Sequence, residues 1–299
     1  MPIVNPPRQA KRRREFDPKD SKSTIINLSP IIMPVPATKD LLESACHFGH
    51  KREKWNPLMN PYIFGVRRGI HIFDLEKTRE HLEKMCEELK KLHNEGKSIL
   101  FISTKQQSTA FIDEIGKTLN QPKVTKKWIP GLLTNWDTIK RRIKYYLDLQ
   151  QSFKSGEVEK YTKQEQTKLR KELTKLDTAL SGVSSMTGVP DAVFVIDAVR
   201  DHVAVLEAKK LGIPVYGICD SNANPDDFTM FVPANDDAVK SISIILTTVI
   251  DQLGGPPPKK SEEKMPKKEA KEEPKENTES ASDSAKATAD KEVSADKEE

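Results

Sequence analysis

The segment HFGHKREKWNPLMNPYIFGVRRGIHIFDL, residues 47–75, interleaves Lys51, Arg52, Lys54, Arg67 and Arg68 with Trp55, Tyr62 and Phe64. Cations at this density can neutralise phosphates, and aromatic faces can stack on bases or sugars, so the mixture suits a nucleic acid. It equally suits a hairpin with a solvated basic edge whose aromatics belong to a core, and composition alone does not separate the two. A second basic cluster, Lys140, Arg141, Arg142 and Lys144, follows downstream.

Other groupings point towards metal or catalysis. Cys46, His47 and His50 lie close together, but a zinc site takes four ligands and no second spaced pair is nearby, so a structural role is expected. The stretch DSNANPDD puts Asp220, Asp226 and Asp227 just past a predicted strand, where doubly wound enzymes hold substrate and magnesium, and Asp197 ends a neighbouring strand in the same way. Together with His202, Asp197 and Asp220 are the residues a magnesium-dependent enzyme of that class would use. Asn, Asp and Pro also dominate turns for purely local reasons, which favours structure over metal here, and Asp236-Asp237 are expected to start the last helix.

Phosphate cradles are missing. Gly116-Lys117-Thr118 has Phe111 where a phosphate loop needs its first glycine, and no G-x-G-x-x-G follows a predicted strand. With no paired nucleophile and base either, neither catalysis nor a cofactor is expected.

These residues must be positioned by an alternation of short β-rich runs and helical patterns. SILFIS (98–103) precedes a helix near 105–119, and AVFVID (192–197) precedes one near 201–211. PVYGIC (214–219) and MFV (230–232) follow, then a helix near 236–253. Continuous apolar strands alternating with helices predict a doubly wound parallel α/β sheet of flavodoxin-like or Rossmann-like type. In the helix DHVAVLEAKKLG, Val203, Leu206 and Leu211 are expected to face the core. Residues 137–181 break the alternation: they are helical, highly charged and interrupted at Ser155-Gly156, with Leu169, Leu173, Leu176 and Leu180 at seam spacing. That spacing predicts an inserted two-helix coiled-coil hairpin.

The 299 residues carry a net charge of +4, unevenly placed. Residues 254–299 hold 10 Lys and 13 Asp or Glu, which leaves 39 basic against 32 acidic residues before them, a body of +7. A basic body is the footprint of a polyanion partner, although many soluble proteins share it. Residues 1–36 read as a basic flexible arm with Lys11, Arg12, Arg13 and Arg14, residues 37–253 as the α/β domain, and 254–299 as a disordered charged tail. Three widely spaced cysteines, no signal peptide and no apolar run of about 20 residues point to the cytoplasm and away from a membrane.

The run HFGHKREKWNPLMNPYIFGVRRGIHIFDLEKT closely resembles the signature near the start of the bacterial-type small-subunit ribosomal protein number two family. WIPGLLTNW (128–136), GVPDAVFVIDAVRDHVAVLEAKKLGIPVYGICDSNANPDD (188–227) and VPANDDAVKSI (232–242) continue the match in order. It departs at Pro130-Gly131, where the family has Gly-Gly, and at Ala234, where the family has Gly. The resemblance implies a monomer within the 30S subunit that catalyses nothing. It implies binding of small-subunit (16S) rRNA between head and body, contact with other 30S proteins and support for docking the messenger-binding protein number one. The residues expected to touch RNA are Lys51, Arg52, Lys54, Trp55, Arg67, Arg68, Lys140, Arg141, Arg142 and Lys144. No metal is expected beyond magnesium held by the rRNA, with Asp197 and Asp220 the weak candidates.

Overall fold

In the computed structural model, residues 35–254 are described, and all fall within one compact unit. The basic arm before residue 35 and the charged tail after 254 lie outside the described residues. The chain enters through α1 (Thr38–Glu43), where Asp40 accepts the Ala37 N–H and so closes the first turn. It then forms a small antiparallel sheet of β1 (Phe48–Lys51), β2 (Ile63–Arg67) and β3 (Ile70–Phe73), in the order β1-β3-β2. β2 and β3 are joined by Arg68-Gly69, both at positive φ (53° and 77°), the two-residue turn whose twist matches that of the flanking strands.

The rest is a wound sheet. After α2 (Leu75–Asn94) come β4 (Ile99–Ile102), α3 (Thr109–Thr118) and β5 (Lys123–Val124), then α4 (Trp136–Lys154) and α5 (Lys163–Leu180). β6 (Ala192–Val195), α6 (His202–Lys210), β7 (Val215–Cys219), β8 (Met230–Pro233) and α7 (Val239–Leu253) complete it. The large sheet is parallel throughout, in the order β5-β4-β6-β7-β8. Every residue of β4, β6 and β7 is buried, as strands covered on both faces must be.

Alternation along the strands divides the interior in two. Ile99, Phe101, Ala192 and Phe194 pack with α2, α3 and α7 through Leu82, Ile112, Ile245 and Val249. Leu100, Ile102, Val193 and Val195 face the other way, onto α4, α5 and α6 through Ile143, Leu176 and Val205. The doubly wound architecture expected from the strand pattern is therefore the one observed. Between β6 and β7 the backbones approach so closely that a Cβ on Gly217 would lie 1.9 Å from the Val195 carbonyl oxygen.

α4 and α5 pack on each other and, in the same cluster, on the sheet residues Leu100, Ile102, Val193 and Val195; a coiled-coil hairpin standing apart from the domain is not established. Leu176 and Leu180 are buried with Ile139, Ile143 and Leu149, Leu169 and Leu173 are half-buried beside them, and the Tyr146 hydroxyl donates to Asp177 Oδ1 at 2.6 Å. The break at Ser155-Gly156 falls between the helices, with Gly156 at φ 77°.

Two local expectations are corrected. In α6 the core face is Ala204, Val205 and Ala208, while Val203, Leu206 and Leu211 are 36%, 60% and 45% exposed. Two alanines let the helix lie close to the sheet, and that sets its rotation against the pull of the longer side chains. Asp236-Asp237 do not start the last helix, which opens at Val239 after Ala238. Asn235 Oδ1 instead accepts the Asp237 and Ala238 N–H groups, leaving both aspartates for other partners.

Candidate functional site

The strand order reverses between β4 and β6, because the chain passes from β4 to β5 on one side and on to β6 on the other. A crevice outside the carboxyl ends of the strands is expected at such a switch point. Lys105 lies just beyond β4 and is buried, and its Nζ reaches Asp197 Oδ2 at 2.8 Å, Asp236 Oδ1 at 2.7 Å and Asp237 Oδ1 at 2.8 Å. Burial alone would lower the Lys105 pKa, but the surrounding carboxylates outweigh it and hold the ammonium charged. Burial, then the charges of Asp220 and Asp197, push Asp236 up to about 8.

The HFGH turn closes over this cluster. The His50 N–H donates to Ser221 Oγ at 2.7 Å and the Asn56 N–H to the Ser221 carbonyl at 2.7 Å. A Cβ at Gly49 would lie 2.8 Å from Ser221 Oγ, so the backbone can approach this closely only with glycine between the Phe and His of the turn. His50 Nδ1 then sits 3.1 Å from Asp220 Oδ1 and Nε2 3.6 Å from Asp237 Oδ2. The contact with Asp220 raises the His50 pKa.

One ligand atom from each of His50, Asp220 and Asp236 lies within 4.8 Å of the others, so these three could hold a divalent cation. Of the two weak metal candidates read from the sequence, Asp220 is in this group, whereas Asp197 is held by Lys105 and by the Arg200 N–H at 2.8 Å. The histidine beside Asp220 is His50; His202, the residue singled out by spacing, is an exposed first residue of α6. Sequence reading missed Lys105, which lies in an unremarkable STKQQ stretch, and its three partners come from two other strand ends.

The basic residues lie elsewhere. Cross-strand register sets Lys51 and Arg67 on either side of Ile70, and the Arg52 N–H donates to the Gly69 carbonyl at 3.0 Å. Lys51, Arg52, Arg67 and Arg68 are thereby gathered at one end of the small sheet, all exposed. Lys54 is exposed on the adjoining turn. Trp55 is half-buried and stacks on His71 with ring centroids 4.8 Å apart, so it supports the sheet as well as facing outwards. Burial and then the charge of Arg52 lower the His71 pKa.

On α4, Lys140, Arg141, Arg142 and Lys144 are exposed around the buried Ile139 and Ile143. Across from Arg142, α5 contributes Lys168, Lys171 and Lys175, which rim a cleft of about 470 Å³ with Glu172 and Leu176. These three lysines were not singled out from the sequence, although spacings of three and four put them on one helix face. Among the described residues, none of the expected RNA-contacting cations forms an ion pair, in contrast to the paired Lys105, Lys123 and Lys209. The small sheet also exposes apolar side chains: Phe64 is 82%, Val66 50% and Phe48 42% exposed.

A doubly wound domain thus displays two groups of exposed cations without ion-pair partners, one on the small sheet and one on α4. Residues 41–253 match the family model of ribosomal protein S2, and the chain belongs to that family. A protein from a Nitratiruptor species, small ribosomal subunit protein uS2, is 42% identical over 215 residues, covering 72% of this chain and 80% of its own length. Proteins of the same name are 38% identical over 235 residues in Parabacteroides distasonis, with 79% and 84% covered, and 42% identical over 206 residues in Bacteroides thetaiotaomicron, with 69% and 74% covered. The family is one of structural ribosomal proteins rather than enzymes. No described helix is long and apolar enough to cross a membrane.

Proposed function

We propose that this chain is a structural constituent of the small ribosomal subunit in the cytoplasm, where it grips 16S rRNA between head and body. The carrying observation is the register of the small sheet, which gathers Lys51, Arg52, Arg67 and Arg68 at one end without acidic partners. Cations left exposed and unpaired on a folded scaffold are placed for phosphates, whose neutralisation releases counterions. Lys140, Arg141, Arg142 and Lys144 on α4 form a second grip, so recognition follows RNA shape more than base sequence. Any structural magnesium at these grips arrives with the rRNA.

The exposed apolar side chains Phe48, Phe64 and Val66 favour protein contact beside the RNA grip, since exposed apolar patches mark interaction surfaces. This supports contact with other 30S proteins and with the messenger-binding protein number one. The test is sucrose-gradient sedimentation of a strain whose only copy carries Arg67→Glu with Arg68→Glu. Loss of the variant from 30S particles at moderate salt is expected; unchanged incorporation would remove this pair from the interface.

A further inference from the structure

The small sheet buries one side chain that its fold does not satisfy. His71 on β3 is 4% exposed, and neither Nδ1 nor Nε2 has a hydrogen-bond partner. Among the described residues no other histidine has both ring nitrogens buried and unpartnered. A polar group buried in this way costs free energy that a phenyl ring in the same place would not, so the fold alone gives no reason for a histidine here.

What covers His71 is thin. Trp55 stacks on it with 27° between the ring planes and is itself only half-buried. Directly across on β2, Val66 projects from the same face of the sheet and is 50% exposed, so an imidazole without its indole cover opens towards solvent. It does so one position along β3 from Ile70, the residue that Lys51 and Arg67 flank. Burial and then the charge of Arg52 keep the imidazole neutral, so its ring offers one N–H donor and one acceptor. A phosphate asks for donors only, and an apolar side chain asks for neither. An unstacked nucleotide presents both donors and acceptors on its base edges and 2′-hydroxyl, together with a face on which an aromatic ring can stack.

We propose that Trp55 lifts from His71 when RNA docks, that the two His71 nitrogens then pair with one unstacked nucleotide, and that Trp55 stacks on its base. The inference rests on the rRNA reading of the small sheet and adds to it a neutral contact that reads the nucleotide, where the surrounding cations read only its charge.

The test is titration of the full chain into small subunits depleted of it, at several salt concentrations, for the parent, for His71→Phe and for Arg67→Glu with Arg68→Glu. His71→Phe is expected to bind roughly tenfold more weakly. Its slope of log K against log salt is expected to stay parental, because no charge is lost, and its Tm to equal or exceed that of the parent, because the orphaned nitrogens are gone. In the free chain, diethyl pyrocarbonate is expected to modify His71 in Trp55→Ala and to spare it in the parent. Parental affinity of His71→Phe beside weakened binding of the arginine pair would overturn the inference and leave the rRNA reading standing. Parental affinity of the arginine pair would withdraw the small sheet from the RNA interface, and the inference with it. A lower Tm for His71→Phe would show that the ring nitrogens have partners within the fold, and equal protection of His71 with and without Trp55 would show that the indole is not its cover; either result overturns the proposal.

Discussion

Glu207 on α6 accepts the indole N–H of Trp128 at 2.9 Å, and the same carboxylate takes the Gly131 N–H at 2.8 Å, the Leu133 N–H at 3.1 Å and both the N–H and the hydroxyl of Thr134. One buried side chain therefore shapes the whole WIPGLLTN loop that leads into α4. Burial would raise its pKa, but the five donors outweigh burial and hold it below the ordinary carboxylate value.

Replacing Glu207 by Ala leaves those donors without an acceptor. We expect a loss of about 3 kcal/mol, since each buried unsatisfied donor is costly and their sum is limited by local relaxation. That corresponds to a fall in Tm of roughly 6–12 °C for a domain of this size, read by calorimetry. A Tm within a degree or two of the parent would show that the loop does not depend on this carboxylate.

Lys105→Met should cost more than a typical core substitution, about 3–5 kcal/mol, because it leaves the buried Asp197 carboxylate beside Asp237 with no counter-charge. Chemical denaturation measures it. A loss below about 1 kcal/mol would mean that the lysine is dispensable to the fold.

The pH dependence of stability has a definite sign. Asp236 is shifted from 3.8 to about 8, so between those values the folded state binds the extra proton and stability falls as pH rises. His50, shifted upwards by Asp220, contributes stability at acid pH that is lost as pH rises through its folded value. Both act in the same direction, and Asp236→Asn is expected to flatten the curve across that range. An Asp236→Asn variant that retains the full slope would assign the effect to other groups.

The cleft between α4 and α5 predicts a salt signature. Replacing Lys168, Lys171 and Lys175 by Ala should weaken binding to small-subunit rRNA and shallow the slope of log K against log salt by roughly 0.7–0.9 for each phosphate no longer neutralised. An unchanged slope would leave these lysines as a solvated helix face.

Gly217→Ala should fail to accumulate as folded protein, because the added Cβ would meet the Val195 backbone at a distance no atom pair tolerates. Solubility on expression and circular dichroism report this, and a soluble variant with parental stability would show that β6 and β7 can separate.

The layers of this protein are written in its residue order. Strands such as ILFI and AVFV are apolar at every position because both faces are covered, and that is a local signal. The leucine spacing of α5 and the break at Ser155-Gly156 marked two separate helices in the same way. The rotation of α6 is a matter of packing, because apolar residues flank both sides of that helix and the close approach of Ala204 and Ala208 to the sheet chose between them. Packing also brings Lys105, His50 and four aspartates together, since they come from separate segments gathered by parallel strand order, a non-local fact with no periodic trace in the chain. The cation cluster lies between these cases: its residue types are plain in residues 51–68, but it is strand register that turns Lys51, Arg52, Arg67 and Arg68 into neighbours.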